Sequence, residues 1–143
     1  MSGPQRWVCA GVVAAALAVV PTTGQTPAAS AAPSVNTFQI PLVSVNSIWS
    51  CGPGLFCTFT PVAITGDAPG TVTFPALDPP QPGQPTVKGS YHMHWRNLGT
   101  GASGTVEVPY SEAVSVYTGP GLATASMTTG GEFIAGTGVF VVS

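Results

Sequence analysis

Residues 86–97, TVKGSYHMHWRN, alternate strictly between two kinds of position. Val87, Gly89, Tyr91, Met93 and Trp95 share one parity, and Lys88, Ser90, His92, His94 and Arg96 share the other. A period of two marks a strand with one face on a core and the other in water. The aromatic and aliphatic set takes the core, so Tyr91, Met93 and Trp95 are predicted anchors and both histidines are predicted to point outward. The next run, residues 104–108, repeats the pattern with Val106 and Val108 inward and Thr105 and Glu107 outward. Pairing inward with inward closes the hairpin around Thr100-Gly101 and sets either His94 or Arg96 opposite Glu107. Both registers gather His92, His94, Arg96 and Glu107 into one outward cluster.

The same grammar continues along the chain. Short runs rich in valine, threonine and aromatics are punctuated by Thr65-Gly66, Thr100-Gly101, Thr118-Gly119 and Thr129-Gly130, and no window carries apolar positions at helical spacing. Strands are predicted over 37–50, 57–65, 70–75, 86–97, 104–110, 113–118, 121–128 and 132–142. Seven or eight short strands in one domain point to an all-β fold, an antiparallel β-sandwich that is immunoglobulin-like in architecture. The C-terminal FIAGTGVFVVS is apolar at both parities, as a central strand buried on both faces would be; an edge strand is the alternative. Residues 75–85, PALDPPQPGQP, carry five prolines and read as a stiff connection between sheets.

The N-terminus has a different pattern. Arg6 precedes an uncharged apolar run over 7–20, and a small-residue stretch follows that ends in Ala29-Ser30-Ala31. This is the order of a secretory signal peptide, and the run is well short of the roughly 20 residues of a spanning helix. Residues 1–31 are expected to be a cleaved leader and 32–143 a single secreted domain.

Removing the leader leaves two cysteines, Cys51 and Cys57, around CGPGLFC. In an exported chain an even pair reads as a disulfide, here stapling a Gly-Pro-Gly hairpin. Centring that hairpin on Gly54 sets Cys51 against Cys57 and Trp49 against Phe59.

Charge then narrows the partners. Only 6% of the residues are charged, against roughly 25% in an average domain. Without Arg6 the cations are Lys88 and Arg96 against five acids, a net charge of −3. Two cations cannot neutralise a phosphate backbone, so nucleic acid is excluded as a partner. There is no Gly-x-Ser-x-Gly elbow in residues 32–143, no phosphate loop and no dinucleotide fingerprint. Catalytic residues and cofactors are therefore expected to be none. The one constellation is the outward cluster: two histidines on one strand face, with Glu107 as a third donor, have the residue types of a zinc or copper site. Opposing it, Arg96 beside those donors repels a cation, and a solvated polar face explains the same residues.

A charge-poor Thr, Ser and Gly surface is one suited to contact with something. The expected function is that of a secreted, non-enzymatic, envelope-associated or extracellular binding and structural protein, with cell-envelope material, an extracellular ligand or a second copy as partner. A metal-binding protein or metalloenzyme using His92, His94 and Glu107 is the second reading. A self-assembling or pore-forming envelope protein is the third.

Overall fold

The computed structural model describes residues 32–44, 56–85 and 87–143. The expected leader, Trp49, Cys51 and the end of the first predicted strand lie outside the described residues.

The described residues form eleven strands and no helix. In chain order they are β1 (Ser34–Thr37), β2 (Leu42–Ser44), β3 (Cys57–Phe59), β4 (Val62–Thr65), β5 (Thr71–Phe74), β6 (Ser90–Asn97), β7 (Ser103–Pro109), β8 (Val114–Tyr117), β9 (Gly121–Thr128), β10 (Glu132–Ile134) and β11 (Gly136–Val142). They pair antiparallel into three sheets, ordered β1-β4-β5-β8, β11-β9-β6-β7 and β10-β2-β3, none closed into a barrel. No helix among the described residues is long and apolar enough to cross a membrane.

The two four-stranded sheets share one sandwich-like core. Ala63, Val72 and Phe74 come from the first sheet and Tyr91, Met93, Val108, Ala123, Ala125, Met127, Phe140 and Val142 from the second, all within one buried cluster. Period-two alternation puts them there: β5 reads half-buried, buried, half-buried, buried, and β9 does the same over its last six residues. Tyr91 and Met93 are 1% exposed, and Trp95 is half-buried over Gly104 of the neighbouring strand. The Tyr91 hydroxyl donates to the Pro75 carbonyl at 2.6 Å, and burial raises its pKa well above the usual range. Val87, expected inward, is 44% exposed because β6 begins only at Ser90.

Three predicted strands are broken where the chain changes sheets. The first run leaves β1, passes through residues 38–41 and enters the third sheet as β2. The run 57–65 is cut at Thr60-Pro61 into β3 and β4, since proline cannot donate to a ladder. The run 132–142 is cut at Ala135 into β10 and β11. Residues 75–85 carry the chain from β5 in one large sheet to β6 in the other.

Phe59 stands opposite Leu42, and Cys57 opposite Ser44. Leu42 is fully buried beside the half-buried Phe59. The expected pairing of Trp49 with Phe59 and of Cys51 with Cys57 lies outside the described residues. One expectation is corrected here. The C-terminal strand β11 lies at the edge of its sheet, not at the centre. Gly136, Gly138, Phe140 and Val142 face inward, while Val139 and Val141 are 46% and 63% exposed.

That edge is nonetheless covered. Ile40 and Thr137 exchange both backbone hydrogen bonds at 2.9 Å. The Gln39 amide accepts from Val139 N–H at 2.7 Å and donates to its carbonyl at 3.3 Å. The Phe38 ring stacks on Phe140 at 6.1 Å and fills the space a side chain at Gly138 would need. A pairing-competent edge is thereby closed by one short segment of the same chain.

Candidate ligand-binding face

Strand pairing arranges the outer face of the β11-β9-β6-β7 sheet in rows. Nearest one end, Val141 pairs with Leu122, whose carbonyl accepts from Leu98 N–H just beyond β6. The next row is Val139, Thr124, Arg96 and Ser103. Then come Thr137, Ser126, His94 and Thr105, and after them Thr128, His92 and Glu107. Polarity therefore changes along the face, from aliphatic through cationic and hydroxylic to acidic.

The register differs by one step from one expected pairing and by two from the other: His92 stands opposite Glu107 and His94 opposite Thr105. The hairpin closes through a four-residue loop, 98–101, and Asn97 is the reason. This residue is fully buried at the inward parity. Its side-chain oxygen accepts from the N–H groups of Gly99 and Thr100 at 2.9 and 3.0 Å, which shapes the loop. Its side-chain nitrogen lies 3.1 Å from each of the Thr118, Gly119 and Pro120 carbonyls, which ties the loop to the β8–β9 crossover.

His92, His94, Arg96 and Glu107 do share the outer face, and all four are exposed. They do not converge. His94 lies between two threonines, with Nδ1 2.9 Å from Thr105 Oγ1 and Nε2 3.1 Å from Thr128 Oγ1. Either ring nitrogen can take a metal only by giving up its threonine. Glu107 accepts from the Ser90 hydroxyl at 2.5 Å. Among the described residues no group of three or more His, Cys, Asp or Glu is placed to hold a metal ion.

Among the described residues Arg96 is left with no acid. It sits four strand positions from His92, the residue opposite Glu107, which is about 13 Å along the strand. No carboxylate among the described residues pairs with its guanidinium. Beside it a groove of about 230 Å³ is lined by His94, Arg96, Thr124, Ser126 and Thr137, with Trp95 and Ala125 at its floor. The hydroxyls of Thr124, Ser126 and Ser103 make no hydrogen bond among the described residues. The groove thus offers a cation and several hydroxyls that make no hydrogen bond among the described residues. Thr124, Ser126, Thr128 and Thr137 are functional candidates that the sequence reading passed over. Their signal is the outward parity of LATASMT in β9, legible only once that strand is known to lie beside β6.

Burial would raise the carboxyl of Glu132, at the turn after β9, but hydrogen bonds outweigh it and hold it below its ordinary value. They come from Thr129 N–H and Oγ1 and from Gly131 N–H, at 2.8, 3.0 and 3.1 Å. This carboxylate organises a turn and stands apart from the groove.

No protein-family model, curated protein or solved structure matches this chain.

Proposed function

We propose that this is a secreted, non-enzymatic binding and structural protein of the cell envelope or extracellular space, and that the outer face of the β11-β9-β6-β7 sheet is its contact surface. The observation that carries the reading is the pairing, on one sheet face, of an unmatched Arg96 with exposed Leu98, Leu122, Val139 and Val141. Soluble surfaces seldom leave such a combination without a partner. We take the scaffold as immunoglobulin-like in architecture, two four-stranded sheets on one core with binding displayed on the outside.

Export is supported by the leader pattern of residues 1–31, and a Cys51–Cys57 disulfide fits it. Cys57 is 7% exposed, a burial that suits a structural cystine. Fractionation of the native host is the test. The reading expects the chain in the culture fluid or envelope fraction, beginning at Ala32, with Cys51 and Cys57 joined in a non-reducing peptide map. A chain confined to the cytosol removes it.

A further inference from the structure

We propose that the groove at Arg96 and the aliphatic row beside it bind an amphiphilic acid, its anionic head at Arg96 and its first methylenes along Val139, Leu122, Val141 and Leu98. The inference rests on the reading of this face as the contact surface and adds the chemistry of what it contacts.

The head-group end is set by charge. Arg96 is the only cation in these rows, and the Glu107 carboxylate, about 13 Å along the strand, is turned to Ser90. A guanidinium flanked by the free hydroxyls of Thr124 and Ser103 presents several donors to one point, as carboxylate and phosphate oxygens require. The four acids other than Glu107 lie outside these rows, so local attraction opposes the chain's overall negative charge over a short range only.

The tail end is set by the neighbouring Leu122–Val141 row, with Leu98 beside Leu122 and Val139 at the far end of Arg96's own row. Leu98, Leu122, Val139 and Val141 are 49%, 46%, 46% and 63% exposed, and they adjoin Arg96 with no acid between them. Aliphatic surface of this kind gains from burial against methylenes without needing any fixed direction of hydrogen bonding.

The closed edge selects among occupants. An added peptide strand draws its affinity from main-chain hydrogen bonds along a free edge. On β11 those groups are already used at Thr137 by Ile40 and at Val139 by Gln39, and the Ser143 carbonyl accepts from Gly70 N–H. A hydrocarbon chain needs none of them. The groove volume of about 230 Å³ suits a head group and a few carbons, so the remainder of a longer chain would run out along the apolar row.

Titration of the full chain with octanoate and octyl phosphate below their micelle concentrations tests the proposal, with acetate, inorganic phosphate and octyl glucoside as controls. Amide shifts should cluster at Leu98, Leu122, Thr124, Ser126, Val139 and Val141, and binding should tighten about two- to threefold per methylene over the first few carbons. Arg96→Gln should weaken octanoate at least fivefold and Val141→Ser about threefold. Both side chains are exposed, so both variants should keep the wild-type thermal melt, and Glu107→Gln should bind as wild type. Octyl glucoside binding as tightly as octanoate, acetate binding as tightly as octanoate, shifts elsewhere, or an unaffected Arg96→Gln variant would each overturn the proposal. Vesicle co-sedimentation separates the two sources of the ligand. Pelleting with anionic but not neutral vesicles assigns a membrane head group, and binding of monomeric octanoate without pelleting assigns a free acid. Equal pelleting with neutral vesicles, or no binding in either format, counts against it. A failed titration of a chain that still fractionates outside the cell removes the ligand class alone, whereas a cytosolic chain removes the functional reading itself.

Discussion

Asn97 donates its side-chain amide to the Thr118 carbonyl at 3.1 Å from a position with no solvent exposure. The same side chain shapes the loop that sets the β6–β7 register, so the row order of the binding face depends on it. Asn97→Ala leaves buried donors and acceptors without partners and should cost about 3 kcal/mol of stability, read as a lowered urea midpoint. Asn97→Asp should cost at least as much near neutral pH, because it sets a carboxylate against three carbonyls.

Gln39 closes the β11 edge with one side chain. Gln39→Ala frees the Val139 N–H and carbonyl next to exposed Val139 and Val141. The variant should keep its melting temperature within a few degrees yet self-associate with rising concentration, seen by sedimentation, because an open apolar edge templates pairing.

Glu132 is a carboxylate whose folded pKa lies below its ordinary value of 4.5. A depressed acid contributes stability that is present above the unfolded pKa and is lost as pH falls through the folded one. The wild-type melting temperature should therefore fall more steeply below about pH 4.5 than that of Glu132→Gln, while the two curves run parallel above pH 6. Parallel curves over the whole range would show that the Thr129 and Gly131 hydrogen bonds do not favour the charged form.

The metal reading has a direct test in calorimetry with zinc and copper on the wild type and on the His92→Ala/His94→Ala double variant. With both His94 nitrogens at threonines and Glu107 at Ser90, no micromolar site is expected in either protein. Micromolar binding in the wild type that disappears in the double variant would restore the metal reading in place of the amphiphile.

The sequence by itself determined whatever depends on a period of two and on breakers. Tyr91 and Met93 had to face inward and His92, His94 and Arg96 outward, because one face of that strand must leave water, and the all-β class followed from the same alternation repeated. Parity cannot decide which strand lies beside which, or in what register. The β6–β7 step is set by Asn97 reaching carbonyls at 118–120, and local sequence holds no sign of that contact. The breaks at 38–41, 60–61 and 135 arise because the chain changes sheets there, and the apolar C-terminal run became an edge because Phe38, Gln39 and Ile40 cover it from about 100 residues away. The groove beside Arg96 is assembled from β6, β9 and β11, so only tertiary pairing could bring its cation, hydroxyls and aliphatic row together.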